Sequence, residues 1–254
     1  MTTIFALPLH VSFLVFLALG VSFFLFGRMM LHLFSNYAKR DPLSIPVGAF
    51  IAAVATAWAL ALGFVAGDIW TITAKANQAT RDEQSAIARL NGIASSSEID
   101  APSLRGALVL YRNAVVKDEW IKNINITPSI SVEQSLQDIR DAILKMSRGN
   151  VPGSVISHLL NDLDILQDAR SMRLSIGATS VDTYRWYLVI CLTIMTIIAI
   201  ASTHADRVQA GNVAIIIYTV SAVMCLWILS IHANPYQGTN KIEPTILLSS
   251  PLPE

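Results

Sequence analysis

The chain has 254 residues, of which 53% are hydrophobic and only 14% charged, where an ordinary soluble domain has about 25% charged residues. This is membrane-protein composition. Eighteen basic residues balance eighteen acidic ones, and no basic run would follow an anionic polymer, which argues against nucleic acid as a partner. Cys191 and Cys225 both fall inside apolar runs without CxxC or metal-knuckle spacing; there a thiol behaves as a small hydrophobe and says nothing of redox compartment.

The run Pro8–Gly27 is too long for a signal-peptide core, and no Lys or Arg precedes it, so it is expected to be a retained first transmembrane helix, roughly Leu9–Phe26. Its phenylalanines, Phe13, Phe16, Phe23, Phe24 and Phe26, either face lipid and neighbouring helices or line an apolar constriction that gates by dewetting. A link beginning at Arg28, with Pro42 and Pro46 marking the break and restart, leads to the second span.

Pro46–Trp70 is charge-free until Asp68 and long enough to cross a bilayer, which takes roughly 20 residues. Ala55, Ala59, Gly63 and Gly67 recur on it at every fourth position, a smooth stripe that another helix can approach closely. Asp68 lies within a turn of the apolar body, so it faces either the headgroup zone or a pore or partner. Beyond Trp70 the positions Ile69, Ile72, Ala76, Ala79, Glu83, Ala86, Leu90 and Ile93 keep a 3.5-residue repeat, which Glu83 interrupts. Either the span continues as one helix on the order of 70 Å long, or it breaks near Trp70 and a separate helix comes after it.

Three further amphipathic helices are legible. Pro102 opens one with the face Leu104, Ala107, Leu108, Tyr111 and Val115, running toward Glu119 and Trp120. Ser131 with Gln134 resembles a capping box ahead of Leu136, Ile139, Ile143 and Met146, and Gly149 ends that helix. The third begins near Pro152–Ser154, shows Ile156, Leu159, Leu163, Leu166 and Ala169, and ends about Gly177. ASSSEID and NINITPS read as ordinary loops. In the last helix Asp162, Asp164 and Asp168 precede Arg170 and Arg173, a pattern of solvated helix salt bridges. An aromatic cluster, Tyr184, Trp186 and Tyr187, leads into a third span to Ala201; THADRVQAGN is a short turn; Val213–Ile231 is a fourth span.

The expected architecture is an all-α membrane protein of four transmembrane helices with a helical extramembrane domain inserted between the second and third. Its divisions are 1–70 for the first two spans, 71–183 for the extramembrane domain, 184–232 for the last two spans and 233–254 for an extended C-terminal tail. Arg28, Lys39 and Arg40 after the first span place that link in the cytoplasm and the helical region outside it; Lys75, Arg81, Arg170, Arg173 and Arg185 pull the other way. No nucleophile elbow, P-loop, dinucleotide fingerprint or HExxH occurs, and none of the five histidines pair at i, i+4, so neither enzymatic activity nor a cofactor or metal site is expected.

The segments AFIAAVATAWALALGFVAGDIW, DEQSAIARL, LRGALVLYRNAVVKDEW with Glu119 and Trp120, DARSMRL with Arg170 and Arg173, and the closing NPYQG with Pro235 and Gly238 together resemble the bacterial bestrophin-like membrane proteins, from about residue 10 to 245. Where that family often has an Asp two residues before the closing proline, this chain has Ala233. The resemblance implies kinship with pentameric anion channels that carry four membrane helices per subunit and their extramembrane mass in the cytosol. It leaves two readings. One is an oligomeric anion or small-solute channel in the bacterial inner membrane, with Asp68, Arg170 and Arg173 as candidate pore or interfacial polar groups. The other is an accessory subunit docking on a larger membrane complex. Membrane lipids and identical or different protein subunits are the expected partners.

Overall fold

The computed structural model describes residues 7–39, 46, 48–149, 151–178, 183–238 and 240–249. Arg40 and Pro42, which the sequence assigns to the first link, lie outside them, as do the first six residues. The described elements are α1 (Leu9–Ala38), α2 (Ala49–Ala94), α3 (Pro102–Ala114), a π-helix (Val115–Lys122), α4 (Ile130–Ser147), α5 (Gly153–Ala178), α6 (Thr183–Thr203), α7 (Val208–Ile231) and the short α8 (Thr245–Leu248). Four helical segments are long and apolar enough to cross a membrane: α1, α2, the segment ending at Thr203, and α7. The chain divides into two compact units, one of residues 1–70, 180–234 and 238–240, the other of 71–179, 235–237 and 241–254.

In the first unit α1 runs twelve residues past the expected end of its span, to Ala38. No Gly or Pro interrupts it after Gly27, and Phe23, Gly27, Leu31, Ser35 and Ala38 continue one buried stripe, so packing keeps the helix intact where charge alone suggested a link. Leu31, Ile200, Ala201 and Ile215 form the centre of this unit. A Cβ on Gly27 would stand 2.8 Å from both Ile197 and Ile215, and one on Gly211 would stand 2.8 Å from Leu31. The close helix approaches within this unit are therefore made at Gly27 and Gly211, and the stripe on α2 is spared. Cβ atoms on Gly63 and Gly67 would meet nothing within 4 Å.

The opposite flank of α1 shows Leu14, Leu17, Val21, Leu25, Met29 and Leu33 to the surroundings, an apolar surface that suits hydrocarbon and not water. Five hydroxyls in the spans are satisfied within their own helices: Ser22, Thr56, Thr193, Thr196 and Ser221 each donate to the carbonyl four residues back, as suits a medium without water. Trp58 Nε1 donates to Thr193 Oγ1 at 2.9 Å and the Trp58 ring meets Tyr218 edge-on. Trp186, expected among the interfacial aromatics, is instead buried, while Tyr184 and Tyr187 are exposed.

In the second unit the four anticipated amphipathic faces converge on one core that includes Leu90, Leu108, Tyr111, Ile139, Ile143, Leu159 and Leu163. Helix α2 is continuous through residue 94, which decides against a break near Trp70. Pro102 occupies the first turn of α3. The capping box is not formed. Ser129, not Ser131, precedes the first turn of α4 and makes no side-chain cap; the Ser131 hydroxyl donates instead to Asp118. The closing segment also departs from expectation: it is folded, not extended over the surface, because Tyr236 and Leu247 are buried in this core and Ile242 N donates to Pro235 O at 2.8 Å.

Candidate functional site

Four buried charges gather in the second unit. Helix α2 presents Glu83, the π-helix presents Glu119, and one face of α5 presents Arg170 and Arg173, with side-chain exposures of 0%, 0%, 7% and 0%. The two arginines fall on the register Leu159, Leu163, Leu166, Arg170, Arg173, the continuation of the apolar seam of α5. Alternating steps of four and three keep these residues on one face, so the sequence of α5 itself carries the guanidinium groups inward.

Arg173 is the centre of the cluster. Its Nε and Nη2 donate to Glu83 at 2.6 and 3.1 Å, Nη2 also to Glu119 at 2.9 Å, and Nη1 to Asn125 Oδ1. Its guanidinium lies 5.2 Å from the centre of the Trp120 ring, a cation–π distance. Arg170 grips the other side of Glu119, with Nη2 at 2.6 Å, and reaches the half-exposed Glu133 at 2.7 Å through Nη1. Tyr111 donates its hydroxyl to Glu83 at 2.7 Å, and the Ser129 N–H donates to Glu119 at 3.0 Å. Two carboxylates and two guanidiniums thus cancel in charge, each carboxylate accepting three or more hydrogen bonds, the condition under which buried ions are tolerated.

The π-helix explains how Glu119 and Trp120, neighbours in sequence, both turn inward. Its wider i→i+5 turn, visible in the bond from Asn123 N to Asp118 O, sets Val115, Glu119 and Trp120 on the buried side together. Trp120 Nε1 donates to Ile242 O at 3.1 Å and its ring meets Tyr236 edge-on at 5.5 Å, which ties the closing segment to the cluster. The loop after the π-helix places Ile124 and Asn125 at positive φ, 51° and 55°, and asparagine is among the few residues that adopt this conformation readily. NINITPS is therefore not an ordinary loop: Asn125 is fully buried. Its Nδ2 has no hydrogen-bond partner among the described residues.

Burial pushes the Glu119 carboxyl up, but the Arg170 hydrogen bonds, the Arg173 charge and the Ser129 N–H outweigh it and hold its pKa below the ordinary 4.5. Burial, then the Glu83 charge, pushes the Tyr111 phenol well above 10. Burial works against both arginines, yet Glu83 holds Arg173 charged and Glu119 and Glu133 hold Arg170 charged. A depressed carboxylate pKa stabilises the fold above the unfolded value and loses that contribution as pH falls through the folded one. The unfolding temperature of the protein is therefore expected to drop as pH falls below about 4.5, and Glu119→Gln should flatten that acid limb; circular dichroism melts between pH 7 and pH 3 read both.

Several expected site residues lie elsewhere. Arg170 and Arg173 are buried in the core of the second unit, and they pair with glutamates on other elements instead of the aspartates of their own helix; Asp162 pairs with Arg89 at 2.7 Å. Asp68, at the end of the apolar part of α2, is ion-paired with Arg185 of α6. Ala59, Gly63 and Gly67 are exposed and Ala55 half-buried. Pro235 is buried, and Gly238 takes φ 83°, the left-handed region that favours glycine at the end of NPYQG. The sequence pattern marks Glu83 and Tyr111 only as positions on apolar faces, and Asn125 as part of a loop; the signal for the site is the carboxylate at a seam position of α2, where a heptad pattern wants an apolar residue. Among the described residues no group of three or more His, Cys, Asp or Glu is placed to hold a metal ion.

Such a chain, with membrane-type spans and a separate helical core closed on buried ion pairs, is an all-helical integral membrane protein. The Bestrophin-like domain matches residues 11–247, and the chain belongs to that family. The fold is shared with a bacterial bestrophin homologue from Klebsiella pneumoniae. One point variant of it superposes with a TM-score of 0.67 at 12% identity, covering 91% of this chain and 93% of that one. A second gives 0.64 at 12%, covering 90% and 96%, and the form solved by zinc phasing 0.64 at 12%, covering 89% and 93%. No curated protein matches the sequence.

Proposed function

We propose that the protein is an oligomeric bestrophin-like channel for anions or small solutes in the bacterial inner membrane, with α2 nearest the symmetry axis. Membership of the Bestrophin-like family over residues 11–247 carries the reading. The uncovered flank of α2 supports it. Leu60 and Phe64 are 59% and 70% exposed beside Gly63 and Gly67, at which a side chain would meet open space, and a closed ring of identical copies is the commonest way to cover one repeated surface. In that ring Ala55, Ala59, Gly63 and Gly67 pack between subunits. The cluster of Glu83, Glu119, Arg170 and Arg173 holds the second unit together. The end of α1 that carries Arg28 and Lys39 and the turn bearing Arg207 face the cytoplasm and the second unit lies outside it; reporter fusions at the loops holding Ser97 and Asp206 check this orientation.

Purified protein in liposomes is expected to pass chloride or another small anion and to run as one homo-oligomer in native mass spectrometry, with Gly63→Leu lowering both oligomer size and flux. Absence of flux at every pH and voltage, together with stable co-purification of a different protein through the same face, would replace the channel by an accessory subunit.

A further inference from the structure

Helices α1 and α7 run in opposite directions, as their successive contacts show: Phe13 beside Trp227, Gly20 beside Val223, Gly27 beside Ile215 and Leu31 beside Gly211. On the N-terminal side of Gly27 they part and leave a groove of about 380 Å³ whose walls are almost wholly apolar. It extends from Phe13 and Trp227 at one end to Phe24 and Ile216 at the other. Eleven residues of helix span about 16 Å, close to half of the roughly 30 Å hydrocarbon core. The groove therefore has the depth of one leaflet. Its rim residues Leu17, Val21, Ile216 and Val220 are exposed, which opens it sideways to the surrounding medium, and Gly20 forms part of its floor.

The end at Trp227 differs chemically from the rest. Trp227 lies four residues before the end of α7, at the level where indole rings sit among headgroups. Its ring packs edge-on against Phe13 at 5.2 Å, and its Nε1, buried, has no hydrogen-bond partner among the described residues. A buried N–H donor beside an apolar slot calls for an acceptor oxygen attached to hydrocarbon.

We propose that the groove between α1 and α7 is a binding site for one glycerophospholipid, with an acyl chain lying along it from Phe13 to Phe24 and an ester carbonyl accepting from Trp227 Nε1. The site is independent of any conduction pathway. Thr219, deeper on the wall, is 4% exposed, and its hydroxyl has no partner among the described residues. An acyl chain gives it none, so valine is at least as good there.

The test uses the full chain, stripped in mild detergent and titrated with phosphatidylglycerol carrying dibrominated acyl chains. Native mass spectrometry is expected to show one tightly retained lipid per chain, and the tryptophan fluorescence lost on binding should be the part that Trp227→Phe removes. Trp227→Phe weakens retention by about threefold, the loss of one modest hydrogen bond. Gly20→Leu fills the floor and abolishes retention; its Cβ would lie 3.4 Å from Val223, ordinary contact. Should Gly20→Leu lose its helical spectrum, Val220→Trp at the rim blocks the same slot from outside. Thr219→Val leaves retention unchanged or raises it. Equal retention by wild type and folded blocked variants, no quenching of Trp227, loss of lipid in Thr219→Val, or disulfide capture of Leu17→Cys by a second copy would each overturn the proposal.

Discussion

Arg173→Ala is expected to destabilise the second unit by about 3–5 kcal/mol, the cost of leaving buried charges without their partner. Two carboxylates, not one, lose their cation, since Arg173 bridges Glu83 at 2.6 Å and Glu119 at 2.9 Å. Against a typical total of about 5–15 kcal/mol the variant should melt far below wild type or fail to accumulate, as circular dichroism melts in detergent would read. Lysine is no rescue, because a single ammonium cannot reproduce a planar fork that also reaches Asn125. Pairing Arg173→Met with Glu83→Gln should cost less than the sum of the two changes, as charges that share one network do not act additively. A strictly additive result, or an Arg173→Ala protein as stable as wild type, would show that the cluster does not hold this core.

Gly177→Ala comes second. A Cβ there would lie 2.0 Å from Asn125 O and 2.7 Å from its carbonyl carbon, and backbone cannot step aside as a flexible side chain can. Asn125 is itself pinned, its N–H donating to Glu119 O at 2.7 Å and its side-chain oxygen accepting from Arg173. Relief of the clash must drag the loop away from the guanidinium, so overpacking and a lost charged hydrogen bond combine to about 3 kcal/mol or more. Gly153→Ala, where a Cβ meets open space, should be nearly silent and serves as the control. Equal melting temperatures for the two variants would refute the argument.

The legible and the hidden parts of the fold differ in the range over which their signals act. Apolar periodicity is local, and it located α3, α4 and α5 to within a few residues, with faces such as Leu104, Leu108 and Tyr111 buried as expected. Charge was less reliable as a guide. Arg28 and Lys39 suggested a polar link, whereas the stripe through Leu31 and Ser35 keeps α1 helical between them. The aspartates near Arg170 invited local pairing, but the true partners are 51 and 90 residues away at Glu119 and Glu83. No periodicity reveals partners at that distance. Ser131 failed as a cap because its hydroxyl has a competing acceptor in Asp118, and the closing segment was misread because its prolines spoke louder than Tyr236 and Leu247. The stripe on α2 was legible, though among the described residues a Cβ on Gly63 or Gly67 would meet nothing within 4 Å.

The dispersed origin of the second unit's core has a consequence for synthesis. Glu83 and Glu119 leave the ribosome long before Arg170 and Arg173, and Tyr236 and Leu247 emerge only after α7 has been made. N-terminal regions are synthesised first, so the core of this unit gains its last two buried side chains only after the last apolar span has been made. A nascent chain that stalls before residue 170 holds two carboxylates with no cation to meet them. One that fails to pass on its final span leaves Trp120 without Tyr236. Completion of the helical core thus follows completion of the membrane part.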